Sequence, residues 1–170
     1  TLYPFINALV ISFTDYNLVR EPNFIGLANY TKLFQDEDFL GTLTATLKYT
    51  VITVPLQLAF ALFIAYILNF KLKGINFFRT AYYIPSLLGG NVAVAVLWRF
   101  LFQQDGLINR IIGVVGIQPV AWLSSPGGAM SVIIILKVWQ FGSAMLIFLA
   151  ALKDVPQDLY EAASVDGSTK

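Results

Sequence analysis

Apolar residues along this chain gather into long runs separated by short polar stretches. Residues 50–70 carry no charge, and at ~1.5 Å per residue they are long enough to cross the ~30 Å hydrocarbon core of a bilayer. Residues 81–102 form a second predicted span, containing Pro85 and the pair Gly89-Gly90, and 129–152 a third, interrupted by Lys137. Proline and paired glycines weaken a soluble helix, but spans tolerate them because neighbouring helices satisfy the freed backbone groups. The opening run 2–13 reaches only ~18 Å, too short to cross. It has no basic segment before it and no small-residue cleavage site after it, so it reads as the outer end of a span and not as a signal peptide. The chain accordingly reads as a piece of a longer one. The fold class this predicts is all-α, a polytopic transmembrane helical bundle with one partial membrane domain over 1–170, closed by a polar segment over 153–170.

Composition strengthens that picture. Hydrophobic residues make up 57% of the chain and charged residues 12%, against roughly 25% charged in soluble domains. A soluble chain of this size with so few charges would struggle to keep its surface free of apolar patches. The net charge of +1 offers no basic field for nucleic acid. Cysteine and histidine are both absent, which removes thiolate and imidazole chemistry and the usual transition-metal ligands. Enzymatic chemistry by this chain alone is therefore not expected, and membrane lipid is its expected surrounding.

Orientation follows from lysine and arginine near the span ends. The turn holding Lys71, Lys73 and Arg79 contains no acid and is predicted to be cytoplasmic. The segment 14–43 is rich in acids and suits the outer side. Counting spans then places 103–128 outside and 153–170 inside. Asp36-Glu37-Asp38 reads as a solvated helix start and supplies too few oxygens for calcium. Trp98, Phe100, Phe102 and Trp122, together with Phe77 and Phe78, read as interfacial anchors.

Lys137 is the one charge well inside an apolar run, with Gln140 one turn on. Ionisable groups within a bilayer cost roughly 2.5–3.5 kcal/mol on insertion scales and tend to face cavities. Lys137 and Gln140 are therefore candidates for lining a translocation path. The competing reading is that Lys137 snorkels to the outer headgroups, which its depth of ~12 Å permits.

The C-terminal segment predicts a short helix after the third span. Asp154 fits an N-cap with Gln157 in capping-box register, Pro156 fits the first turn, and Gly167 fits the stop. Leu159, Ala162 and Ala163 fall on one face, and the two small side chains allow close backbone approach. A helix of three turns is too short to stand alone in water and is expected to dock.

The stretch Leu159-Tyr160-Glu161-Ala162-Ala163-Ser164-Val165-Asp166-Gly167 resembles the EAA loop of permease subunits of binding-protein-dependent ABC importers. Ser12-Phe13-Thr14-Asp15-Tyr16-Asn17, Phe24-Ile25-Gly26-Leu27-Ala28-Asn29-Tyr30, Phe77-Phe78-Arg79-Thr80 and Ala121-Trp122-Leu123-Ser124 are similar to the maltose-type sugar-permease branch in order and spacing. The resemblance implies a cytoplasmic coupling helix that seats in a cleft of an ATPase subunit, with Glu161, Ala162, Ala163, Asp166 and Gly167 matching the motif and Leu159 leading it. It also implies a second permease subunit, an extracytoplasmic solute-binding protein carrying a sugar, and a place in the prokaryotic plasma membrane. The chain has no Walker-type glycine loop, so ATP is expected on the partner ATPase and no cofactor on this chain. Two other classes remain open on the residues alone. One is a secondary transporter or channel, which intramembrane carboxylates would favour; the other is a membrane assembly subunit with no path of its own.

Overall fold

The computed structural model describes residues 2–70 and 74–167. Lys71 and Lys73 of the basic turn, and 168–170 of the C-terminal segment, lie outside the described residues. The described residues contain nine α-helices and a single isolated β-bridge, and they fall into two units, Thr1–Lys48 and Tyr49–Lys170.

The first unit begins with α1 (Leu2–Ile11). A tight loop follows, closed by an antiparallel bridge between Thr14 and Phe24. Asn29 locks this loop to the head of α2 (Ala28–Gln35) by donating its side-chain amide to the carbonyls of Ser12 and Thr14, both at 2.9 Å. The hydroxyls of Ser12 and Tyr30 meet at 2.7 Å, and the Tyr30 ring packs on Phe13 at 5.5 Å. The two resemblance segments around Asp15 and Asn29 are thus halves of one hydrogen-bonded turn. The Asp15 carboxylate accepts the backbone N–H of Asn23 at 2.6 Å, which holds its pKa below the usual value.

Asp36 separates α2 from α3 (Glu37–Asn69) and caps the latter, its carboxylate accepting the N–H of Asp38 at 2.9 Å and of Phe39 at 3.3 Å. The expected helix start at Asp36 is therefore what the chain forms. α3 has 33 residues, roughly 50 Å at helical rise. The run 50–70 occupies its second half; nothing between Glu37 and Thr50 stops a helix, so α3 begins well before the apolar stretch. It alone among the described helices is long and apolar enough to cross a membrane unbroken.

In the second unit α3 is followed by α4 (Ile75–Leu88) and α5 (Val92–Leu101), then α6 (Leu107–Val114), α7 (Pro126–Trp139), α8 (Gly142–Lys153) and α9 (Gln157–Val165). Two expected spans are broken. Residues 81–102 do not form one rod: α4 and α5 meet at 99° across Gly89-Gly90, and Asn91 starts the second piece by accepting the Ala93 N–H at 2.9 Å. Residues 129–152 are divided between α7 and α8, bent by 41° at Gln140 and Phe141. Ser125 and Pro126 start α7 in the expected way for a serine cap and an N1 proline, Ser125 accepting the Gly128 N–H at 3.1 Å.

The core sits where α3, α4 and α8 run together. Ala61, Ala65 and Leu68 of α3 pack against Met145 and Leu149 of α8 and against Phe141, with Ile75 and Leu152 at the margin. α4 and α8 approach each other at the backbone. The small Ala61 and Ala65 of α3 are fully buried in the same cluster, small residues at helix contacts being usual where lipid supplies no hydrophobic drive between helices. Phe141 is buried with its ring 4.8 Å from Phe60 and 6.0 Å from Tyr82. Leu68, Ile75, Leu149 and Leu152 share one cluster, so the end of α3, the start of α4 and the end of α8 meet at the same end. Arg79 fastens that end, donating to the Leu68 carbonyl at 3.3 Å.

Candidate functional site

A helix break inside an apolar bundle leaves carbonyls and N–H groups without their usual partners, each costly unless another group reaches it. Here the two breaks lie side by side and satisfy each other. The Gln140 carbonyl, released at the end of α7, accepts the Gln57 side-chain amide of α3 at 3.1 Å and the Ser86 hydroxyl of α4 at 3.0 Å. Ser86 in turn accepts the N–H of Ser143 at 3.2 Å, one of the orphan donors in the first turn of α8. The Gln140 side chain reaches the other break, donating to the Gly89 carbonyl at 3.4 Å. Three helices and both breaks are thereby tied at one polar knot built from uncharged groups.

Gly142 makes the arrangement sterically feasible. A Cβ there would stand 2.6 Å from the Tyr82 carbonyl and 2.8 Å from the Tyr83 Cα. Only glycine lets the start of α8 touch the α4 backbone, and that contact brings Ser143 within reach of Ser86. Beside the knot lies a mainly apolar cavity of about 520 Å³, walled by Leu56 and Phe60 of α3, Tyr82 and Pro85 of α4, and Val138 and Trp139 of α7.

From Trp139 a run of rings leads to the loop after α5. Trp139 stacks obliquely on Trp98 at 5.2 Å, Trp98 lies 5.8 Å from Phe102, and Phe102 meets Trp122 edge-on at 5.6 Å. Phe102 is buried and the Trp98 indole nitrogen is enclosed without a partner. Trp98, Phe102 and Trp122 are thus packing rings rather than headgroup anchors, because the 99° turn folds α5 and its loop back into the unit. Phe77, Phe78 and Phe100 are exposed, as anchors would be.

The loop itself is organised by Asn109, which is 4% exposed. Its amide donates to the carbonyls of Gln104 at 2.9 Å and Val120 at 3.0 Å, and its oxygen accepts from the Val120 N–H at 3.0 Å.

Of the sequence candidates, Gln140 stands at the centre of the knot. Lys137 does not join it. Its side chain is exposed, and it meets Gln140 through the backbone alone, its carbonyl accepting the Gln140 N–H at 3.1 Å. Gln57, Ser86, Asn109 and Gly142 escaped the sequence reading.

In α9, Leu159 is 60% exposed, and Glu161, Ala162 and Ala163 are exposed beside it. Asp154 is not its N-cap. It closes α8 by donating its N–H to the Ala150 carbonyl at 3.0 Å, because α8 continues to Lys153 and α9 starts only at Gln157. Past α9, Gly167 holds φ 83°, the left-handed conformation of a glycine helix stop.

No protein-family model matches the chain. It is 48% identical over 172 residues to the probable ABC transporter permease protein YesP of Bacillus subtilis, covering 100% of this chain and 56% of that one. It is 37% identical to the arabinooligosaccharides transport system permease protein AraP of Bacillus subtilis, covering 98% of this chain and 54% of that protein. With the trehalose/maltose transport system permease protein MalF of Thermococcus litoralis it shares 34% identity, over 91% of this chain and 53% of the relative. The chain thus spans about half the length of these curated relatives. Among solved structures, its fold matches a bacterial ABC transporter involved in the import of the acidic polysaccharide alginate. That match has a TM-score of 0.80 and 24% identity, and covers 99% of this chain and 57% of the other. Along its whole length, then, this all-α chain belongs to the permease proteins of ABC transporters, which are integral membrane proteins.

Proposed function

We propose that the chain is the membrane-spanning part of an ATP-driven importer of sugars or related carbohydrates, working in a prokaryotic plasma membrane. The observation that carries this reading is where α9 begins. It follows α8 by three residues, at the end where α3 finishes and α4 starts. That end holds Arg79 and is the one the charge pattern predicts to be cytoplasmic. A short helix presenting Leu159, Ala162 and Ala163 there suits a cytoplasmic ATPase, with Glu161 and Asp166 offering charge and Gly167 ending the helix. ATP binds the partner, and this chain holds no cofactor. A second permease subunit completes the path, and an extracytoplasmic solute-binding protein delivers the cargo.

The names of AraP and MalF support a sugar cargo. Gln140 and the cavity beside it lie along the proposed path, and Lys137, exposed on α7 a turn before Gln140, is assigned to the same path. The test uses the full-length subunit with its ATPase. Ala163→Leu overfills a close contact, typically costing ~1–3 kcal/mol, and should abolish ATPase association while leaving membrane insertion intact. Normal association and normal ATP-driven uptake in that variant would refute the coupling assignment. Lys137→Met should lower uptake without affecting assembly, and unchanged uptake removes Lys137 from the path.

A further inference from the structure

The break between α7 and α8 is small in torsional terms. Gln140 stands at φ −83°, ψ 36°, and Phe141 beyond it at φ −75°, ψ −10°. Helical ψ lies near −42°, so most of the interruption is one torsion, Gln140 ψ, turned by roughly 80°. If that torsion returned to the helical value, the Gln140 carbonyl would face the Ala144 N–H, its ordinary partner four residues on. The carbonyl therefore has a good acceptor role in two geometries. In the bent one it is served by Gln57 and Ser86; in the straight one it is served by its own helix. Neither geometry leaves the Gln140 carbonyl without a donor, which favours two discrete states over a continuum within an apolar bundle.

We propose that Ser86 and Gln57 are positioning residues that clasp the α7–α8 break in its bent form, so that the break is a two-state element released when the clasp opens. Ser86 is the more telling half, because its hydroxyl serves both sides of the interruption, giving a proton to Gln140 at 3.0 Å and taking one from Ser143 at 3.2 Å. Gln57 adds a second hold from α3, a helix that makes no break of its own here. Glycine at 142 keeps the α8 start against α4, so the clasp closes without displacing either backbone. The geometric claim stands on these contacts alone. Its consequence rests on the importer reading above: α8 leads into α9 across three residues, so the state of the clasp sets where α9 meets its ATPase.

The experiment uses the full-length permease, cysteine-free, assembled with its partners in lipid nanodiscs. Nitroxide labels at Ile133→Cys on α7 and Ile147→Cys on α8, both exposed positions, report the distance across the break. The resting wild-type complex should show one dominant, shorter distance. Ser86→Ala and Gln57→Leu should each raise a longer-distance population about three- to tenfold, the range expected for one hydrogen bond between helices in a bilayer. Ser86→Thr, which keeps the hydroxyl, should restore the wild-type distribution and the slow amide exchange of Ser143 that Ser86→Ala accelerates. A knot that merely stitches the structure would lower thermal stability in these variants and leave the distances unchanged. That result, in both Ser86→Ala and Gln57→Leu, overturns the proposal. If Ser86→Ala does not assemble, Gln57→Leu decides alone, because it keeps the Ser86 bonds and exchanges one apolar-compatible side chain for another. Solute moved per ATP should fall in both variants. A wild-type complex that moves no sugar would sink the importer reading instead, while the distance distributions still decide the clasp.

Discussion

Trp122 donates its indole N–H to the side-chain oxygen of Asn109 at 2.9 Å, and this bond ties the segment after α6 to one buried amide. With the bonds to Gln104 and Val120, Asn109 of α6 ties together the irregular segments on either side of that helix. Asn109→Ala leaves several buried backbone groups unpaired and should cost about 2–4 kcal/mol. The expected readout is a lowered Tm of the purified full-length protein with a red shift of tryptophan emission. Asn109→Asp should be no milder, because it sets a carboxylate against two carbonyls that now receive a proton. A wild-type Tm in Asn109→Asp would show that the loop does not depend on this amide.

Gly142 is the second position where a small change should act strongly. Gly142→Ala drives a methyl group into the α4 backbone near Tyr82, where no flexible side chain can give way. Separation of α4 from α8 should cost about 1–3 kcal/mol. It should also expose the Ser143 amide to exchange, as Ser86→Ala does, but Ser86→Thr in the same background should not rescue it. Thermal unfolding and amide exchange measured together test this.

Arg79 holds the far end of the same bundle. Arg79→Lys keeps the charge but loses the planar fork that spans the Leu68 carbonyl and the Asn76 side-chain oxygen, 3.3 and 3.5 Å away. The expected loss is about 0.5–1.5 kcal/mol, with membrane orientation retained because the charge count of the turn is unchanged. Arg79→Gln should lose similar stability and also weaken the orientation signal. Labelling of single cysteines from either side of the membrane separates the two effects.

Asp15 gives the turn after α1 a pH dependence of definite sign. Its carboxylate is stabilised by the Asn23 N–H, so its folded pKa lies below the ordinary value of 3.8. A depressed carboxylate contributes stability that is fully present above the unfolded pKa and is lost as pH falls through the folded one. The Thr14–Phe24 bridge should therefore loosen only in acid below about pH 4, seen as a shift of the Asn23 amide resonance. Asp15→Asn should flatten that titration. A midpoint at or above the ordinary value would contradict the assignment.

What could be read from the sequence here was local. Asp36 before Glu37 and Gly167 after α9 each satisfy or end a helix using groups within a few residues, so residue type and spacing were enough. The knot was hidden because its partners are distant, Gln57 from Gln140 by 83 residues and Ser86 by 54. Its central acceptor is also a main-chain carbonyl, which no side-chain pattern marks. Lys137 drew notice because a charge is expensive in lipid, yet the uncharged glutamine a turn away makes the long-range bonds. The runs 81–102 and 129–152 looked continuous because hydropathy measures apolar content and is blind to direction. Gly89-Gly90 and Gly142-Ser143 were the available hints, small residues that permit a bend without requiring one. Trp98 and Trp122 misled for a related reason: position near a span end signals an anchor only if the span runs straight.

The 12 residues of α8 are fastened above at Gln140 and followed below, after a gap of three, by α9. A rod of that length is about 18 Å long. A tilt on the order of 10° at its fixed end therefore carries the other end through roughly 3 Å, several times the displacement that breaks a hydrogen bond. The bend is in this sense a fulcrum and α8 its lever arm: a torsion deep in the bundle and a surface helix at its edge become two readings of the same angle.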